Sequence, residues 1–376
     1  MEAVAAAHAA PVRMRSKAAP RPRRILMIVE NLSVPFDRRV WCEATTLVDA
    51  GYEVSVISPM GQGYEAPYEV IDGVHVYRHP QPYEAHRAGG YLREYGAALW
   101  HELRLAWKVW CERGFDVIHG CNPPDLIFLI AWAFRPLGVR FVFDHHDVCP
   151  ELFEAKFGNR GFLWRVTRIL ERITFGSAVV SLATNDSFAA IARDRGGMAR
   201  EDVFVVRSAP RPERFRQIDV DPAYRDGANC VIGYVGVIGQ QEGMDLLVEA
   251  ADDLINMQGR RGLRFLIIGF GTQLEFMMED VERRGLAENF VFTGALHGEA
   301  MLAALGAADI CVSPDPKNAM NDISTMNKVI EYMLLAKPIV QFDLKEGRYS
   351  ASDASLYAKA NDPIDFAAQV ARLVDD

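Results

Sequence analysis

Apolar residues along this chain come in short unbroken runs that alternate with longer stretches of helical period. Residues 25–30 read Ile-Leu-Met-Ile-Val-Glu, a run suited to a parallel strand covered on both faces. A polar loop follows, then a helical stretch over about 37–50 that Gly51 stops as a C-terminal cap. Residues 52–58 are the next strand. The rhythm continues with a strand at 74–77, a helix over 87–113, a strand at 116–119 and a helix from about 124. Strands at 140–144 and 178–183 then flank a helix over 162–176. Strands alternating with helices predict a parallel, doubly wound sheet.

Between about 207 and 228 the rhythm breaks, with Pro210, Pro212 and Pro222 among charged residues. It restarts at 230–236, and a helix follows in which Leu246/Leu247, Ala250/Ala251 and Leu254/Ile255 recur every four residues. Further strands are predicted at 263–269, 290–294, 309–313 and 338–342, and a last helix at 366–374. The fold class is therefore α/β, with two Rossmann-like, doubly wound parallel-sheet domains facing a central cleft. Residues 25–207 form the first domain, and 208–376 the linker and the second; the halves are not a detectable sequence repeat. Ligands of such sheets sit outside the carboxyl ends of the strands, so the loops after Val29, Phe143, Val235, Ile268 and Val312 are where chemistry is sought.

Composition narrows the picture. A chain of 376 residues is too long for one hydrophobic core and ordinary for two domains. Its net charge of −9 argues against a nucleic-acid partner, which needs a basic surface. The six cysteines are widely spaced, with no CxxC, which excludes zinc ribbons and redox pairs and points to a reducing, cytoplasmic setting. No run reaches the ~20 apolar residues of a membrane span. Residues 1–24 are rich in Ala, Pro and Arg and read as a disordered basic tail, because Pro11, Pro20 and Pro22 oppose a targeting helix. The stretch 162–176 sets Arg165, Arg168 and Arg172 near Phe162, Leu163 and Trp164, the composition of a basic helix lying on the inner face of a membrane. The plainer alternative is a helix packed on the sheet with a charged outer face.

Three constellations could carry chemistry. Gly236-Val-Ile-Gly239-Gln240-Gln241-Glu242-Gly243 is a glycine-punctuated turn from strand into helix, where backbone can approach a phosphate and a helix start can attract it; a tight connection without a ligand is the alternative. In 325–333, Lys328 and Glu331 stand three apart near a helix start. The carboxylate can accept two hydrogen bonds from a ribose diol and the lysine can meet phosphate, whereas the alternative is an exposed ion pair worth ~0.5 kcal/mol or less. Asp144-His145-His146-Asp147 follows a buried strand. Neighbours on an extended segment face opposite sides, so no metal site is expected of all four, and a single histidine lining the cleft is the functional reading.

These segments together resemble the retaining GT-B glycosyltransferases of family four, especially those that assemble bacterial surface polysaccharides. The likeness runs from about Ile25 to the C-terminus. It rests on 325–340 (TMNKVIEYMLLAKPIV, similar to the family's S-P-x-K-L-F-E-Y-M-A-A-G-K-P-I-V), with 286–294 (LAENFVFTG), 307–314 (AADICVSP) and 267–271 (IIGFG) in support. The resemblance implies that Glu331 holds the donor ribose, that Lys328 lies near the diphosphate and that Gly236, Gly239, Gln240, Gln241 and Gly269 line the donor site. His146 corresponds to the cleft histidine that touches the transferred sugar. It further implies a nucleotide-diphosphate sugar as donor substrate, a saccharide or lipid-linked acceptor, retention at the anomeric carbon, and no cofactor or metal.

Departures from the family pattern are specific. Val237 and Glu242 stand where many members carry an arginine and a lysine for phosphate. Ile323 replaces the first carboxylate of the paired-glutamate motif, with Asp322 one residue off. The chain stops at Asp376, whereas the family usually continues with a helix returning to the first domain. Arg38 and Arg39, after the first strand, either face the cleft as replacement cations or are solvated helix residues. Rival readings are a sugar-nucleotide 2-epimerase of the same fold and a binding-only relative with a degraded donor site. A dinucleotide oxidoreductase is disfavoured because Leu274 takes the third glycine's place. A metal-dependent transferase would have to use Asp219-Val-Asp221, which reads as polar linker.

Overall fold

The computed structural model describes residues 23–80, 88–210 and 220–376, together with 212, 215, 216 and 218. The tail expected over 1–24 lies almost wholly outside the described residues, as does Asp219.

The first domain holds strands β1 (Arg24–Val29), β2 (Glu53–Pro59), β3 (Tyr68–Ile71), β4 (Val74–His79), β5 (Val117–Cys121), β6 (Arg140–His145), β7 (Val180–Ala183) and β8 (Val203–Val205). They lie in the order β3-β4-β2-β1-β5-β6-β7-β8, parallel except for the β3–β4 hairpin. That hairpin is absent from the sequence reading, although Asp72-Gly73, both at positive φ, is a strong two-residue turn signal. The second domain holds β9 (Cys230–Val235), β10 (Leu263–Ile268), β11 (Phe290–Gly294), β12 (Ile310–Ser313), β13 (Ile339–Phe342) and β14 (Leu356–Ala358), all parallel, in the order β11-β10-β9-β12-β13-β14. This is the 3-2-1-4-5-6 order of a Rossmann sheet, with its switch point between β9 and β12. The two-domain α/β expectation holds.

Helices α1 (Arg38–Asp49), α2 (Ala88–Glu112), α3 (Phe128–Phe134), α4 (Cys149–Phe157), α5 (Phe162–Ser177) and α6 (Asp186–Asp194) cover the first sheet. The second has α7 (Met244–Asp252), α8 (Leu274–Arg283), α9 (Gly298–Gly306), α10 (Asn327–Leu334), α11 (Lys345–Ala351) and α12 (Pro363–Asp375). Central strands are buried on both faces, as Leu26, Met27, Ile28 and Val29 illustrate at 0% exposure, which is why they read as unbroken apolar runs.

The domains are tied along one side of the cleft. Asn185, the N-cap of α6, donates to the Ile323 carbonyl (2.8 Å) and meets Thr325 Oγ1 (3.0 Å). Ser187 Oγ bonds Glu346 Oε1 (2.9 Å), and Arg207 in the linker reaches Ser350 Oγ (2.9 Å) with its guanidinium over the Tyr349 ring. Met320 and Ile323 of the second domain pack into the first domain's core. These ties fix the carboxyl ends of both sheets toward a common cleft.

Candidate active site

At the second domain's switch point, the turn after β9, the segment after β12 and the start of α10 converge. The crossing is tight. A Cβ on Gly269 would lie 1.9 Å from the Gly236 carbonyl oxygen, and Gly269 N donates to the Gly294 carbonyl (2.9 Å), so the two glycines first serve to let two loops pass. Gly269→Ala is expected to cost about 3 kcal/mol from overpacking, read as a lowered Tm; an unchanged melt would show that the loops can part. Gln240 projects into solvent, while the Gln241 carbonyl accepts from Asn321 Nδ2 (2.8 Å). Helix α4 faces this turn from the other domain.

Lys328 and Glu331 do not pair with each other. Lys328 Nζ lies 2.8 and 2.9 Å from the two oxygens of Asp315 and over the Tyr234 ring at 4.8 Å. Asp315 is buried and also receives the Ser313 hydroxyl. The sequence reading passed over Asp315, although an acid just beyond a buried strand, at the ligand-binding end, was the signal. Glu331 is 7% exposed and pairs with Arg38 of the opposite domain. Burial pushes its carboxyl above the usual range and Arg38 pulls it back. Asp322 does not stand in for the missing acid at Ile323: its carboxylate accepts from Lys345 N (2.9 Å) and pairs with Lys317 (3.3 Å), turned toward α11.

Glu242 folds back over the glycine turn. A Cβ on Gly239 would lie 2.6 Å from its Oε2, so a carboxylate already occupies the ground above that backbone. Burial raises the Glu242 carboxyl to about 7 against the pull of Lys328, with Asp315 adding to the rise.

In the first domain, β6 ends in two histidines of opposite fate. His145 is wholly buried among the rings of Phe143, Phe175 and Phe188, and burial, with Arg195 adding, lowers its pKa to about 3. His146 is partly exposed (12%), with Nε2 2.6 Å from Asp144 Oδ2, and Asn122 Oδ1 just after β5 accepts from the backbone N–H groups of His146 (2.7 Å) and Asp147 (3.1 Å). Asn122 is buried and was missed; it stands at the first sheet's switch point, between β1 and β5. Asp144 also takes Arg39 Nη2 (2.8 Å) and His119 Nε2 (3.2 Å). Burial would raise the Asp144 carboxyl, but His146 and Arg39 hold it well below the carboxylate range. Glu43, beside it, is driven up to about 10 by burial and by Asp144, against the pull of Arg39. Ligand atoms of Glu43, Asp144 and His146 lie within 4.8 Å of one another, as do those of His119, Cys121 and Asp144, but the Arg39 guanidinium already supplies the positive charge there.

The arginines therefore separate. Arg39 is buried, bonding Asp144, Glu43 and the Val206 carbonyl (2.6 Å). Arg38, the first residue of α1, crosses the cleft to Glu331, and its terminal nitrogen lies 3.9 Å from Met301 Sδ. Two consecutive residues thus link the candidate ribose acid of one domain to the candidate sugar histidine of the other.

Two family models match the chain. One for a "Glycosyl transferase 4-like domain" covers residues 37–209, and one for "Glycosyl transferases group 1" covers 229–376. Among curated proteins, the chain is similar to the 2-deoxystreptamine N-acetyl-D-glucosaminyltransferase of Streptomyces fradiae, at 32% identity over 140 residues, which are 36% of this chain and 31% of the relative. The match therefore spans less than a third of that relative's length. Among solved structures, sucrose-phosphate synthase from Thermosynechococcus elongatus superposes with a TM-score of 0.72 at 14% identity, covering 94% of this chain and 90% of that one. Anabaena HepE in complex with UDP and glucose gives 0.64 at 15%, with the same coverage. At these identities the structures show the fold.

Proposed function

The chain belongs to the GT-B glycosyltransferases, and on that premise we propose that it moves a sugar from a nucleotide-diphosphate sugar to a saccharide or lipid-linked acceptor in surface-polysaccharide synthesis, with retention and without a metal ion. The observation that carries this reading is the arginine pair of α1, which brings Glu331 and His146 to one cleft. In the reading, the donor's ribose diol bonds Glu331, and its diphosphate lies between the Gly239 turn and Lys328. The sugar points toward His146. Breaking the sugar–phosphate bond builds positive charge on the sugar and negative charge on the leaving diphosphate, so fixed cations and amides lower the barrier. With Nε2–H given to Asp144, the Nδ1 side of His146 is left for a sugar hydroxyl. The guanidinium of Arg39 among the carboxylates that could otherwise gather a metal supports the metal-free reading.

Titration with UDP-, GDP- and ADP-sugars tests the donor half, UDP-sugars first because the HepE structure holds UDP. Binding of none removes the reading, and conversion of a donor to its isomer without an acceptor would make the protein an epimerase instead. The Glu242 carboxyl gives the titration a pH signature. Its charged form repels the diphosphate, and its protonated form, which predominates as pH falls through about 7, does not. Donor affinity is thus expected to rise from pH 8 to pH 6 with uptake of a proton, and Glu242→Gln to flatten the dependence; an equally steep profile in the variant would clear Glu242.

We also propose that α5 touches a membrane on the cytoplasmic side. Phe162 (79% exposed), Leu163 and Ile169 are apolar and open beside exposed Arg165 and Arg172, and a groove of about 270 Å³ lined by Phe153, Phe157, Phe162 and Leu163 adjoins them. No helix among the described residues is long and apolar enough to cross a membrane. Co-sedimentation with phosphatidylglycerol vesicles, weak with phosphatidylcholine and lost in Arg165→Glu/Arg172→Glu, is the expected result; equal pelleting of variant and wild type would refute it.

A further inference from the structure

We propose that Arg38 is the cation that meets the donor's diphosphate, released for that task when the donor's ribose displaces it from Glu331. The inference rests on the donor reading above and supplies what that reading lacks. A diphosphate entering the second domain's pocket finds no basic residue in the turn 236–243. Lys328 is engaged by both oxygens of Asp315, and the Glu242 carboxylate lies close enough to feel it. Two acids sharing one lysine make a poor seat for a dianion. Arg39 is only 9% exposed and cannot leave Asp144 and Glu43 without stranding buried charge.

Arg38 differs in each respect. Its side chain is 54% exposed, and its contacts are one acid, Glu331, the Met301 sulfur and the Phe215 ring at 6.0 Å, so only Glu331 need be re-satisfied for it to move. Glu331 cannot be left bare, because burial already disfavours its charge. A ribose diol satisfies it with two hydroxyl donors, and the guanidinium is then free to fork onto two phosphate oxygens, the geometry it matches best. The swing is short. Glu331 and Lys328 are three apart on α10, so their Cβ atoms stand ~5–6 Å apart, within the sweep of an arginine side chain. After the exchange Glu331 is hydrogen-bonded by the diol and Arg38 is paired with phosphate, so neither group is left without a partner.

The exchange separates two measurable quantities. A nucleoside competes with Arg38 for Glu331 but offers it no phosphate; the corresponding nucleoside 5′-diphosphate offers both. Uridine/UDP, guanosine/GDP and adenosine/ADP are titrated against wild type, Arg38→Ala and Arg38→Lys, using the base that wild type binds. Arg38→Ala is expected to bind the nucleoside about threefold or more tighter, while the affinity gained on adding the diphosphate falls about 10- to 100-fold. Arg38→Lys restores part of that gain. An unchanged diphosphate gain in Arg38→Ala, with the nucleoside still bound, overturns the role of Arg38 alone. Nucleoside binding no tighter than wild type overturns the displacement step. Failure of wild type to bind any nucleotide removes this assignment together with the donor reading beneath it. Coincident thermal melts keep a folding defect from imitating any of these results.

Discussion

Glu331→Ala is expected to weaken nucleotide-sugar binding about 100-fold while leaving the fold intact. The carboxylate in the donor reading accepts two hydroxyl hydrogen bonds in a pocket where it is 7% exposed, and bonds to a charged group are worth ~1.5–3 kcal/mol each, so losing two accounts for at least that factor. Stability is nearly unaffected for a reason visible across the cleft. The partner left behind is Arg38, whose half-exposed guanidinium can turn to water, so no charge is stranded. Glu331→Gln is the finer probe, because it keeps the shape and one acceptor while removing the charge that holds Arg38. If Glu331→Ala bound every donor as wild type does, the ribose contact would have to be assigned elsewhere, and Asp315 would be the next acid to test.

The alternation of strands and helices was legible because each central strand is covered on both faces and each helix on one, which writes two distinct periods into the chain. The small antiparallel addition at β3 was not, since Glu69 and Tyr68 sit at a sheet edge where no burial imposes a pattern. In the site, Lys328 and Glu331 could be picked out as a pair three residues apart, but the pair itself does not exist. Each residue is claimed by a partner far off in sequence, 13 residues away for Asp315 and 293 for Arg38. The same limit explains Arg38 and Arg39. Consecutive residues at a helix start point in directions 100° apart, and only the assembled domains decide which faces the buried Asp144 and which the cleft. Asn122 escaped notice because its work is on backbone amides 24 and 25 residues on. Glu242 could be read from the sequence as an acid where the family carries a phosphate lysine, but its fold-back over Gly239, which makes its effect proton-linked, could not.

His146→Ala is expected to bind donor within about threefold of wild type and to lose transfer about 10²- to 10³-fold, the effect of removing one polar contact made in the transition state. The ring stands on Asp144, which burial would raise but which His146 and Arg39 hold well below the carboxylate range, so that support stays ionised near neutrality. Removing the imidazole leaves Asp144 with Arg39 at 2.8 Å and His119 at 3.2 Å, so the buried acid keeps partners and the fold should survive. Asp144→Asn is the opposite case. It takes the counter-charge from buried Arg39, for which ~3–5 kcal/mol of destabilisation is expected, and it frees the His146 ring to turn, so both stability and transfer fall. A structural role for His146 would lower Tm and donor affinity together. The catalytic role predicts kcat falling alone, and a His146→Ala variant with undiminished turnover would remove the histidine from the site and leave Glu331 and Lys328 to define it.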